Sequence, residues 1–306
     1  MSAIPLTHRP LGRTGLSVSP LGLGCGTFGR EIDEAGARDV MVRAVDHGIN
    51  LCDTSETYAQ GASETVLGNL IAKLGLKGRV LVSTKVRHNP TRDRIPQAAE
   101  ASLGRLRLDC IDLYLLHQYD PNTPLEETLE ALDRLVRAGK VRRIGCSNFS
   151  AAQLARALAL QRAAGWQAFE VVQPMYNLVA REPEAELLPL CGRDGIGVVS
   201  YSPIGAGFLT GKYDRGGAIP AGSRFELIPG HQNLYFREDA FTTLDRLRDL
   251  SRHTNLPMEQ LARRWVFAQP GVDCFLTGAR SPRQIDEAVE AWRERGMPRE
   301  LLATFA

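Results

Sequence analysis

The chain has 306 residues, 43% hydrophobic and 24% charged, the balance of a globular protein that buries about 75% of its unfolded surface. Its 37 Lys and Arg against 35 Asp and Glu leave a formal charge of +2, too mild to imply a nucleic-acid partner or an anionic membrane surface. No apolar run approaches the ~18 residues of a membrane span, and Met1–Pro10 lacks the apolar core of a secretory signal. Six cysteines, no two closer than 27 positions, write neither a disulfide framework nor a CxxC metal or redox site. A reduced, cytoplasmic, metal-free protein is the expectation.

In chain order, Arg9–Pro20 reads first, as a β-hairpin turning at Gly12-Arg13-Thr14-Gly15. Short apolar runs then alternate with amphipathic stretches. Strands are predicted at Leu21–Cys25, Ile49–Cys52, Val80–Thr84, Ile111–Leu116, Val141–Cys146, Ala168–Gln173, Ile196–Tyr201 and Val272–Leu276. Helical patterns are predicted near 34–47, 63–74, 93–107, 124–138, 150–163, 183–193, 257–268 and 281–293. Eight β–α units imply a parallel sheet covered by helices, and nearly continuous apolar strands such as Ile111–Leu116 fit a sheet buried on both faces. The predicted fold is α/β: a single (β/α)8 TIM-barrel domain over residues 1–306, with an N-terminal hairpin. An inserted loop at 202–239, rich in Gly and Pro, and an extra helix near 240–254 interrupt the seventh unit; so long a loop is usually functional.

The polar residues at the strand ends are the most informative feature. Asp53, Lys85 and His117 follow three successive strands at intervals of 32 residues. Ser147 and Asn148 follow the fifth strand, Gln173 ends the sixth and Ser202 follows the seventh. In a closed parallel barrel all these ends meet at one rim, where such enzymes carry their chemistry. Taken singly, Asp53 reads as a helix N-cap and the Lys and His as solvated loop residues. Taken together with nearby Tyr58 they suggest a proton-transfer site. Tyr titrates near 10 unperturbed, and a Lys ammonium beside it is expected to lower that value. Asp53 would hold the Lys, and a neutral His117 would hydrogen-bond a carbonyl oxygen.

One motif competes. Gly24-Cys25-Gly26-Thr27-Phe28-Gly29 matches GxGxxG between a strand and a helix, with an acid, Asp53, ending the next strand. Eight units exceed the six strands of that dinucleotide fold, so these glycines are expected to wall a barrel pocket instead.

The chain also carries Gly48–Thr54 with Tyr58, Ser83-Thr84-Lys85, Asp112–His117, Ile144–Phe149, Gln173–Asn177, Tyr201-Ser202-Pro203 with Gly207–Lys212, and Gly278-Ala279-Arg280. In that order and spacing it resembles the aldo-keto reductase superfamily along essentially its whole length. The resemblance implies an NADP(H)-dependent oxidoreductase acting on a small carbonyl or alcohol substrate, a small sugar among them. Its catalytic tetrad would be Asp53, Tyr58, Lys85 and His117, with Tyr58 as proton donor. It further implies that Ser147, Asn148 and Gln173 hold the nicotinamide carboxamide while Tyr201 stacks on the ring. Ser202 and the loop from Gly205 through Gly207 to Lys212 would line the pyrophosphate, closed over near Arg224, and Gly26, Thr27 and Pro203 would be further cofactor contacts. Arg280 and Gln284 would meet the adenosine 2′-phosphate and Glu287 the adenine, with Gly278 a further cofactor contact; a guanidinium at 280 favours NADPH. The sequence departs from the pattern at Ser55-Glu56-Thr57, at Ala59, where Gly commonly follows the tyrosine, and at Ala288, where Asn is common. Substrate contacts would come from Phe28, His88 and Tyr119. The competing function is a nicotinamide-binding regulatory subunit similar to potassium-channel β subunits; those carry added N-terminal segments, whereas only Met1–His8 precedes the hairpin here.

Overall fold

The computed structural model describes residues 4–296 and Phe305. A two-stranded antiparallel hairpin, β1 (Arg9–Pro10) and β2 (Ser17–Val18), precedes eight parallel strands. These are β3 (Leu21–Gly24), β4 (Leu51–Asp53), β5 (Leu81–Val86), β6 (Ile111–Leu116), β7 (Val141–Ser147), β8 (Val171–Gln173), β9 (Gly197–Ser200) and β10 (Cys274–Gly278). They pair in sequence order and β10 closes on β3, with Gly278 opposite Gly24. Helices α1 (Glu34–Asp46), α2 (Ala62–Lys73), α3 (Arg94–Leu106), α4 (Leu125–Arg137), α5 (Ala151–Ala164) and α6 (Leu187–Asp194) cover the first six units. The seventh helix position, after the insertion, is filled by α10 (Met258–Phe267), and the eighth by α11 (Pro282–Arg293). The (β/α)8 barrel read from the periodicity is therefore the fold.

Side-chain alternation along each strand divides the core in two. Leu51, Leu113, Leu115, Val171, Val199, Cys274 and Leu276 pack inside the barrel, while neighbours such as Tyr114, Val172, Val198 and Phe275 point outward beneath the helices. The hairpin closes the N-terminal end by adding Leu11, Leu16 and Val18 to the inner cluster. Gly12 makes that closure possible. Its φ is +47°, and a Cβ there would stand 2.3 Å from the backbone nitrogen of Gly197, so only glycine fits against the barrel floor. Arg143 Nε donates to Thr14 O at 2.8 Å and ties the hairpin to β7.

Two local expectations are corrected. The helix read at 183–193 is split into a 3-10 turn, Glu182–Glu184, followed by α6. Pro189 lacks the N–H that would bond the carbonyl of Ala185, so the α-helix begins only in the turn containing that proline. The insertion is also less irregular than its composition suggests. It contains a 3-10 segment (Gly205–Thr210), α7 (Arg224–Leu227), a turn at Pro229–His231 and α8 (Gln232–Tyr235) before α9 (Glu238–Thr254). Phe208, Tyr213, Phe225, Tyr235, Phe236 and Phe241 bind these pieces together, with ring centroids of Tyr213 and Phe225 4.7 Å apart. Burying several aromatic side chains at about 1.5–3 kcal/mol each offsets the entropy of ordering a loop that lacks regular strands.

Candidate active site

The inward face of the strands does not end with the apolar core. Two residues beyond Leu51 on the same face comes Asp53; beyond Leu115 comes His117, beyond Val171 Gln173, and beyond Val199 Tyr201. Because the side-chain period of a strand is two, positions that seal the interior below deliver polar groups to the C-terminal rim above. Lys85 lies inside β5, opposite Leu115, and is fully buried at that rim.

Lys85 spends its three donors inward. Its Nζ donates to Asp53 Oδ2 at 2.6 Å and Oδ1 at 2.8 Å, and to the carbonyl of Thr54 at 2.8 Å. Ser83 Oγ and Gln173 Nε2 also donate to Asp53 Oδ1, at 2.8 and 2.9 Å. Burial works against the Lys85 charge, but the Asp53 carboxylate and the Tyr58 phenol outweigh it and hold the ammonium above its ordinary pKa. The ring of Tyr58 has its centroid 5.3 Å from that Nζ and meets His117 edge-on at 5.7 Å. Burial drives the Tyr58 phenol above its ordinary value; the Lys85 ammonium pulls it back only in part, while Asp53 opposes that pull. The expectation that Lys85 leaves this tyrosine with a lowered pKa is thus corrected: desolvation wins, and the phenol is held in its neutral form. His117 is pushed down to about 3 by burial and by the charges of Lys85, Arg87 and His88, so its imidazole is neutral at physiological pH. Its Nδ1 lies 3.0 Å from Ser55 Oγ.

Beside these groups runs a trough of about 580 Å³. Of the residues expected to contact a cofactor, Gly26, Thr27, Ser147, Asn148, Gln173, Tyr201, Ser202, Pro203, Gly207, Lys212, Arg224, Gly278, Arg280 and Gln284 line it, together with Asp53, Tyr58 and His117. Their side chains brace one another. Ser147 Oγ donates to Gln173 O at 2.8 Å, Asn148 Nδ2 donates to His117 O at 2.9 Å, and Tyr201 OH donates to Asn148 Oδ1 at 2.7 Å. The amides keep spare donors and acceptors for a ligand. Asn148, Ser202 and Ala206 all have φ near +55° (58°, 58° and 54°), a conformation costly for residues with a Cβ and typical of binding loops. Asn177 Nδ2, buried, donates to Ser202 O at 2.9 Å and helps hold one of these turns. Six cations, Arg30, Arg87, Lys212, Arg224, Arg263 and Arg280, face only two acids, Glu31 and Asp53, along the trough. That excess, with the braced amides, fits an elongated polyanion such as a nicotinamide dinucleotide.

Other expected contacts fall elsewhere. Gly205 lies behind the trough, where a Cβ would meet the Tyr235 ring at 3.1 Å. Glu287 is held by Arg283, whose Nε donates to it at 2.9 Å. Phe28, in the loop after β3, is fully buried in the core outside the barrel and does not line the trough; the reading of it as a substrate contact is corrected. Tyr119 packs edge-on against Phe149 at 5.5 Å and His88 is exposed, and neither lines the trough. Sequence reasoning missed Arg30, Glu31, Arg87, His231 and Arg263. A signal existed for Arg263 alone, a charge on the otherwise buried face of α10.

A parallel eight-stranded barrel with a cation-lined trough and a Lys–Asp–Tyr–His cluster at its C-terminal rim defines a (β/α)8 protein of the oxidoreductase type. Residues 20–302 match the Aldo/keto reductase family, and the chain belongs to that family, whose members generally bind a nicotinamide cofactor. Similar proteins include "Probable voltage-gated potassium channel subunit beta" of Arabidopsis thaliana, 34% identical over 300 residues that span 94% of this chain and 91% of its own. "Aldo-keto reductase YhdN" of Bacillus subtilis (strain 168) is 34% identical over 301 residues, 93% of this chain and 88% of its own. The rice relative, again "Probable voltage-gated potassium channel subunit beta", is also 34% identical, over 300 residues.

Proposed function

We propose that the protein is an NADP(H)-dependent reductase of aldehydes or ketones, with Tyr58 as the general acid. The observation that carries this reading is a protonated phenol set between a buried Lys–Asp pair and a neutral imidazole on the wall of the trough. NADPH supplies the hydride when bound. The chain supplies the rest. Ser55 Oγ and His117 Nδ1 are 3.0 Å apart, and with the serine as donor in that bond the imidazole proton sits on Nε2, from which it is donated to the carbonyl oxygen, orienting and polarising it. As negative charge grows on that oxygen, Tyr58 gives up its proton, and the Lys85 ammonium stabilises the phenolate that remains. Asp53 keeps that ammonium charged and in place. In the reverse direction the Tyr58 phenolate is the base that takes the alcohol proton.

Arg280 supports NADPH over NADH, since a guanidinium matches a phosphate dianion. A panel of aldehydes, ketones and alcohols, followed by nicotinamide absorbance with each cofactor, tests the assignment. Carbonyl-dependent NADPH oxidation with lower efficiency for NADH is expected; no oxidation of either cofactor would overturn it. The relatives named as potassium-channel β subunits favour a second reading, a nicotinamide-binding regulatory subunit. A slow sensor of that kind stalls after one hydride, whereas an enzyme turns over many times.

A further inference from the structure

Arg263 is placed where a helix normally carries an apolar residue. On α10 it sits among buried Leu261, Ala262, Trp265, Val266 and Phe267, and it is only 4% exposed. It nevertheless reaches the trough, which it lines together with Ala279, Arg280 and Gln284. Its Nε and Nη1 are buried and have no hydrogen-bond acceptor among the described residues. The carboxylate nearest to hand, Glu287 Oε2, is 3.8 Å from Nη1, too far for a hydrogen bond. Glu287 meanwhile accepts from Arg283 through its other oxygen. Burial pulls the Arg263 guanidinium down from its ordinary pKa, against the attraction of Glu287 and Glu259, yet an arginine stays charged at neutral pH.

A buried cation with unspent donors is costly, and an apolar side chain at the same position would avoid that cost. The balance changes if an anion enters the trough beside it, because charge-assisted bonds to a guanidinium are among the strongest available. We propose that Arg263 is a second specificity-determining cation for the cofactor's adenosine 2′-phosphate, acting from α10 alongside Arg280. This rests on the reading of the trough as an NADP(H) site and adds to it a residue on an element that the sequence motifs do not include.

The test is calorimetric binding of two cofactor fragments, adenosine 2′,5′-bisphosphate and 5′-AMP, to the full-length protein and to Arg263→Leu and Arg263→Lys. The unmodified protein binds the bisphosphate more tightly. Arg263→Leu weakens bisphosphate binding by about 10- to 100-fold and 5′-AMP binding by less than about 3-fold, the span expected of one or two charge-assisted bonds. Arg263→Lys recovers part of the loss, and the ligand-free melting temperature of Arg263→Leu is unchanged or raised. Equal losses for both fragments, or none for either, overturn the role given to Arg263. If the unmodified protein shows no preference for the bisphosphate, the NADP(H) reading itself fails, and this inference with it.

Discussion

The two ends of the barrel are built from the same strands to opposite purposes. At the N-terminal end Leu11, Leu16 and Val18 of the hairpin complete an apolar plug, and the Arg143 side chain ties that hairpin to the barrel by donating to the carbonyl of Thr14. At the C-terminal end the same inward positions become Asp53, Lys85, His117 and Gln173, and the loops above them carry strained turns at Ala59, Asn148, Ser202 and Ala206. One end stores stability; the other accepts desolvated charge and strain in return for chemistry. The difference teaches that conservative changes at the floor register in folding alone, while changes at the rim register in two measurements at once.

Lys85→Met breaks this contrast most severely. It leaves Asp53 buried without its counter-ion, so unfolding free energy is expected to fall by about 3–5 kcal/mol, and carbonyl turnover is lost as well. Chemical denaturation and nicotinamide absorbance read the two effects. Leu11→Ala, at a fully buried floor position, costs about 2–5 kcal/mol of stability. Cofactor affinity and turnover number stay unchanged below the melting temperature, and a matching loss of turnover would erase the distinction between the ends.

The rim also sets a pH dependence. His117 titrates near 6.5 in the unfolded chain and about 3 in the folded one, so the unfolded state binds the extra proton first. Its contribution to stability is complete above pH 6.5 and is lost as pH falls from 6.5 towards 3. Denaturation midpoints of His117→Gln therefore decline less over that interval than those of the unaltered protein; parallel declines would contradict a neutral His117. The smallest expected effect is at Ala59, held at φ +48° directly after Tyr58. Ala59→Gly relieves that strain and gains about 0.5–1 kcal/mol, a shift to higher denaturant midpoint.

Much of this was legible in the sequence because barrel strands obey a simple period. The apolar runs located the strands, and the 32-residue spacing of Asp53, Lys85 and His117 put those side chains on one rim. What could not be read depends on contacts between distant segments. The aromatic packing of the insertion joins residues from Phe208 to Phe241 through tertiary contacts that no local pattern encodes. Phe28 looked available in a Gly-rich loop but turned into the core. The direction of the Tyr58 shift required weighing burial against the Lys85 charge, and sequence supplies the charge without the burial.

Tyr58→Phe is the most direct test of the proposed proton donor. NADPH affinity, followed by nucleotide fluorescence, and steady-state carbonyl reduction are measured on the same preparation. Retained NADPH binding with turnover reduced about 100- to 10,000-fold, the usual contribution of a general acid, is the predicted result. Full turnover with bound NADPH would contradict it.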